Sequence, residues 1–175
     1  MSDIDTIVKE LRAVAAGIER ARANAAAAGS KAQEISARAA QSGFAGIATG
    51  MSQVRTMINE LQAQLAAVNR SAAEAAVPVT AAPKELSPQQ TIAALAPVTE
   101  KVDAVRDGIA LAVAKIDEAH RRTAAVLQGG QPGPLLAALA AVKHLLIQIT
   151  QRCAAAKQHV NTVMDAARQV GNQGN

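Results

Sequence analysis

The chain has 175 residues, half of them apolar, with 18 Lys and Arg against 14 Asp and Glu, a net charge of +4 and a pI near 9.6. That length holds one domain of ordinary size or two small ones. Ala fills 43 positions and Phe44 is the one aromatic residue; Ala favours helix and is a poor strand former, which argues against a sandwich, a barrel or a parallel sheet.

Apolar residues recur at alternating spacings of three and four, beginning at Ile4, Ile7, Leu11, Val14 and Ile18 and continuing through alanines to Ala39. This period predicts a first long helix, capped by Ser2 or Asp3. The Ala-rich stretch from Ala21 to Ala32 predicts a thin, close-packed seam, weakened by Gly29-Ser30. A turn is expected over 42–46. A second series runs from Met51, Val54, Ile58, Leu61 and Leu65 to Ala75. Pro78 and Pro83 then predict a linker over 78–87, because each proline removes a donor and clashes with the preceding turn.

Ser87-Pro88-Gln89-Gln90 reads as the start of a third helix, with Ser at the N-cap, Pro at the first position and Gln at the third. Pro97, inside that helix, predicts a kink or a later start. The third series runs from Leu95 to Val126. Gly129-Gly130-Gln131-Pro132-Gly133-Pro134 is a break, so a turn is expected over 129–134. The fourth series runs from Leu139 to Val170, Gly171 is expected to end the helix, and 172–175 form a polar tail.

The fold expected is all-α: two long antiparallel helical hairpins, residues 1–77 and 88–171, packed as a four-helix bundle or joined end to end as a coiled-coil-like rod. The halves look related. A shift of 88 sets Val54-Arg55 on Val142-Lys143 and Leu61 on Ile149.

Reaction chemistry is hard to find. His120, His144 and His159 form no pair at helical ligand spacing, and Cys153 sits on an apolar seam, where a small buried thiol is the ordinary reading. Asp117, Glu118, His120, Arg121 and Arg122 make the densest polar group, best explained as a solvated face with Asp117 and Arg121 paired at i, i+4. No phosphate-cradling loop and no Gly-x-Ser-x-Gly elbow occurs. No catalytic, cofactor-binding or metal residue is therefore assigned, and no cofactor or small-molecule substrate is expected. A lone cysteine makes no internal disulfide, which suits a reducing compartment. Seven charged residues among the first twenty leave no secretory apolar region, and no stretch approaches about 18 strongly apolar residues.

Phe44-Ala45-Gly46 lies between two heptad-patterned helices, about 40 residues from a Met-Ser start. This layout resembles the WXG-motif, Esx-like helical hairpins exported by type VII secretion systems, in which a Trp-x-Gly tripeptide occupies the turn. The resemblance covers residues 1 to 80. It implies that Phe44 takes the Trp place and packs over the hairpin end, and that Gly46 lets the chain turn with positive φ. The family's Tyr-containing export signal is absent, so an exported chain would depend on a partner that carries one. Ala-rich tandem hairpins with mild positive charge also resemble an actinobacterial family of unknown function.

The function expected is a non-enzymatic helical interaction protein. Its partner would be another helical protein or itself, as a homodimer or as a pseudo-dimer within one chain. The partner-binding seam would be Leu11, Val14, Ile18, Val54, Leu61 and Leu65. Two alternatives stand beside it: a phasin-like or apolipoprotein-like protein that lays an apolar face on a membrane or polymer surface, and weak nucleic-acid association through dispersed Lys and Arg, disfavoured by the missing stacking residues. The protein is expected in the cytoplasm, or exported without a cleaved signal peptide.

Overall fold

The computed structural model describes residues 3–81, 86–128 and 133–173. Four α-helices account for nearly all of them: α1 (Asp3–Gln41), α2 (Ala45–Thr80), α3 (Pro88–Val126) and α4 (Gly133–Gln173). At 1.5 Å per residue each is about 55–60 Å long.

The helices stand at the corners of a square. α1 packs on α2 and α4, α3 packs on α2 and α4, and the diagonals do not meet. Neighbours run antiparallel: Glu74 meets Lys101 and Glu60 meets Lys115 across α2/α3, while Asp117 meets Lys143 and Asp103 meets Lys157 across α3/α4. The end-to-end rod is thereby excluded, because the hairpins lie side by side as one four-helix bundle.

The 3-4 period accounts for the core. One seam from each helix turns inward, with Ile7, Ile18, Ile58, Leu65, Ile109 and Leu139 among the fully buried side chains. Ala21, Ala25, Ala28 and Ala32 are all buried as well, so α1 supplies a narrow edge against which the neighbouring helices come close. Thr123 is the buried polar core position; its hydroxyl donates to the Ala119 carbonyl at 2.7 Å, which satisfies it inside its own helix.

Several helix ends differ from the sequence expectation. α2 does not stop before Pro78 but continues to Thr80, because Pro78 lies in the last turns and Val79 beyond it is buried in the core. The linker is accordingly shorter than 78–87, and its residues 82–85 lie outside the described ones. α3 keeps its early start: Ser87 Oγ accepts from the Gln90 amide at 3.3 Å and Gln90 Oε1 accepts from the Ser87 amide at 2.9 Å. Pro97 then sits within the helix, held between buried Leu95 and Val98. α4 begins at Gly133, inside the expected 129–134 turn, of which 129–132 are not described. It also runs past Gly171 to Gln173, consuming half of the expected polar tail.

Gly43, not Gly46, provides the positive φ of the first turn, at 79°. The Phe44 amide donates to Ala39 O at 2.8 Å and the Gly43 amide to Ala40 O at 3.2 Å, the paired bonds of a Schellman ending with glycine at the left-handed position. Gly46 already lies in the first turn of α2.

One window of α4 has mean hydropathy 1.4 and meets the length and composition of a membrane span, which the sequence reading did not foresee. Its seam residues Leu135, Leu139, Val142, Leu146 and Ile149 are buried in the bundle.

Candidate functional site: the hairpin tip and the α2/α3 groove

The seam proposed for a partner is already occupied. Leu11, Val14, Ile18, Val54, Leu61 and Leu65 are each no more than 2 % exposed, packed against this chain's own helices. The periodicity located the sticky faces correctly but not their partner, since four such faces in one chain satisfy one another. A binding surface on the closed bundle must therefore lie outside the core.

The inter-hairpin contacts are close, and glycine makes them so. A Cβ on Gly17 of α1 would sit 2.8 Å from Ile149 of α4. A Cβ on Gly108 of α3 would sit 2.5 Å from Val68 of α2, and one on Gly50 of α2 would sit 2.6 Å from Val126 of α3. Each glycine immediately precedes a core position, Ile18, Met51 or Ile109, and so borders the seam. At Gly50 and Gly108 the obstacle is a stiff valine, so a side chain there would press the hairpins apart, whereas at Gly17 it is the end of the Ile149 side chain.

Among the large apolar side chains exposed on the described surface, Val77, Leu111, Ile147 and Val170 lie along the helices and Phe44 stands at the first hairpin turn. Phe44 forms the N-cap of α2 without a side-chain cap and is 60 % exposed. It does not pack over the hairpin end as the Esx-like resemblance implies. Beside it, between the start of α2 and the end of α3, lies a hollow of about 610 Å³ lined by Gly46, Ile47, Gly50, Arg122 and Val126. It continues down the α2/α3 groove into a second hollow of about 730 Å³, where Thr56, Met57, Glu60, Glu118 and Arg121 contribute. Gln53, Arg122 and Ala125 line both. Arg122 donates to Gln53 Oε1 across the groove, and Lys115 closes its lower end on Glu60 at 2.8 Å. The upper hollow is mostly apolar, the lower one sets Glu60, Glu118, Arg121 and Arg122 beside Met57 and Ala125, and Phe44 directly precedes Ala45 of the upper lining.

The dense polar group on α3 is arranged differently from the expected helical pair. Asp117 reaches Lys143 Nζ of α4 at 2.7 Å instead of Arg121, so it ties two helices together. Further down, a hydrogen bond and the positive charge of Lys101 hold the exposed Glu74 carboxyl below its ordinary value. Burial pushes the Cys153 thiol up to about 11, with Arg106 opposing, so at neutral pH it is a protonated core residue. Among the described residues no three His, Cys, Asp or Glu side chains form a group suited to a metal ion.

Sequence reasoning missed the seam glycines and the trough. The signal for the glycines was present: Gly17, Gly50 and Gly108 each stand one residue before a core position. The trough had no linear signal, because it joins residues about 70 apart in the chain.

No curated protein and no solved structure matches the chain. Residues 86–172, which span α3 and nearly all of α4, match the model of a family of unknown function (DUF6244).

Proposed function

We propose that this protein is a non-enzymatic helical interaction module, and that it meets its partner through the first hairpin tip and the adjoining α2/α3 groove. The observation that carries this reading is the exposure of the chain's single aromatic residue, Phe44, next in the chain to Ala45 on the lining of the α2/α3 trough, on a bundle whose seams are already filled. Exposed aromatic anchors beside a groove are where interface energy concentrates. The bundle supplies a stiff rod that presents this end at a set distance from the other.

The finer form of the proposal is Esx-like: a tandem hairpin that serves as a type VII secretion substrate or as the companion of one. It is supported by the pairing of two antiparallel hairpins in one chain and by the Phe44-Ala45-Gly46 sequence at the junction of α1 and α2. A second reading, attachment to a lipid or polymer surface, is supported by the apolar window of α4 and by Ile147, which is 44 % exposed there.

Site-specific photo-crosslinking in the native host tests the proposal. A photoreactive phenylalanine replaces Phe44 in one strain and Asp165, toward the opposite end of α4, in another. The expected result is a discrete protein adduct from position 44 that is absent from position 165. Equal adducts from both positions, or none from 44, refute the tip as the contact. Flotation of the purified protein with neutral liposomes favours the second reading, and a chain that stays at the bottom of the gradient removes it.

A further inference from the structure

The seam between the hairpins relates one hairpin to the other by an approximate two-fold. Moving α1 onto α3 and α2 onto α4 turns the α1/α4 contact into the α3/α2 contact, so the interface maps onto itself. The side chains follow. An offset that carries Ile7 onto Val98 carries every buried apolar position of α1 as far as Ala32 onto a buried position of α3, ending at Thr123. The offset that carries Val54 onto Leu135 does the same for α2 and α4 as far as Val79 on Val160, and it sets Val68 on Ile149, so that Gly108 against Val68 repeats Gly17 against Ile149. The first offset also superposes Gly17 on Gly108, the two glycines that bring each hairpin close to the other. The family match points the same way, since it begins at residue 86 and ends at 172 and so isolates one hairpin as a unit.

A single hairpin buries each helix against one neighbour and leaves a long apolar edge on the other side. It needs a second hairpin, and nothing in the seam requires that hairpin to come from the same chain. The connection from Ala81 to Ser87 is seven residues, between a helix that ends just past Pro78 and one that starts at Pro88. Short connections between packed units invite exchange of the units they join.

We propose that the inter-hairpin seam is an exchangeable interface whose second occupant is another copy of this chain: two chains pair by swapping hairpins, each bundle combining residues 3–81 of one copy with 86–173 of the other. The inference stands on the seam and is independent of the tip proposed above. Every contact of the closed bundle is kept in the swapped form, so the tether alone sets the balance. A short tether holds its own hairpin at an effective concentration of about 1 mM, so swapping becomes prominent when chains fold together near that concentration.

The test uses full-length chains. One population carries Glu74→Cys, a second Lys101→Cys and a third Lys115→Cys, all in a Cys153→Ala background. Glu74 pairs with Lys101, whereas Lys115 belongs to Glu60. The first population is unfolded with the second or with the third, refolded at about 1 mM, and the dimer fraction is treated with a short bis-maleimide. The expected result is a dimer by light scattering in which the 74–101 link exceeds the 74–115 link about tenfold, as the effective concentration at a matched site requires. Equal linking shows a dimer that is not swapped and overturns the proposal. The unsubstituted chain, refolded the same way, guards against variants that fold poorly: if it is monomeric throughout, the proposal also fails.

Discussion

Gly108→Ala should destabilise the bundle, although alanine is the better helix former. A Cβ on residue 108 would lie 2.5 Å from Val68 Cγ2 and 3.7 Å from Val68 Cβ. Ordinary carbon contacts need about 3.5–4.0 Å, so the shortfall is at least 1 Å. Valine in a helix is held to one χ1 well, so the offending methyl cannot swing aside and α2 and α3 must separate locally. Overpacking of this kind costs about 1–3 kcal/mol, and replacing a mid-helix glycine returns about 1 kcal/mol. The severity of the clash favours the upper half of that cost, so the net loss is about 1–2 kcal/mol. For a chain of this size that lowers Tm by about 3–6 °C.

Gly29→Ala is the internal control. Its Cβ would rest 3.4 Å from Ile58 Cγ2, an ordinary contact, so propensity should win and stability should rise by up to about 1 kcal/mol. Urea and thermal melts followed by helical circular dichroism measure both. Combining Gly108→Ala with Val68→Ala should abolish the alanine penalty measured against Val68→Ala alone. If Gly108→Ala and Gly29→Ala raise Tm equally, the close approach of the hairpins at Gly108 is refuted, and with it the glycine argument for the seam.

Other outcomes follow from single side chains. Leu65→Ala empties a fully buried position in α2 and should cost about 2–5 kcal/mol in urea melts, whereas the same truncation at exposed Leu111 should stay within about 0.5 kcal/mol. Ser87→Ala removes one arm of the capping box and should cost about 1 kcal/mol. The Cys153 thiol titrates near 11 in the folded chain against an ordinary value of 9.0, so the unfolded chain releases its proton first. Stability from this group is therefore complete below about pH 9 and is lost as pH rises toward 11. The difference in stability between the native chain and Cys153→Ala should be flat up to pH 9 and shrink above it; a difference independent of pH across that window contradicts the burial of the thiol.

The helices were legible because helix periodicity is local. Ile4, Ile7, Leu11 and Val14 announce a helix and the direction of its apolar edge without reference to anything distant, and Ser87-Pro88-Gln89-Gln90 carries its own cap within four residues. Ends were read less well where packing competes with local preference. Pro78 breaks a helix in isolation, yet α2 continues through it because Val79 gains a buried site. Gly46 and Gly43 are both compatible with a turn, and only the backbone path shows that Gly43 takes the left-handed residue while Phe44 is turned outward.

What the amino-acid order determined by itself is a set of four rods, each with one greasy edge and a capped or broken end, because those properties depend on residues within a few turns of one another. The tertiary structure alone decided where the edges go. A linker of this length permits stacked or side-by-side hairpins, and the choice rests on shape and charge between distant residues: Gly17 against Ile149, Gly108 against Val68, Lys115 on Glu60 and Lys101 on Glu74. That same closure buried the edge expected for a partner and left Phe44 and the α2/α3 trough outside, since a surface formed by two helices exists only once they have met.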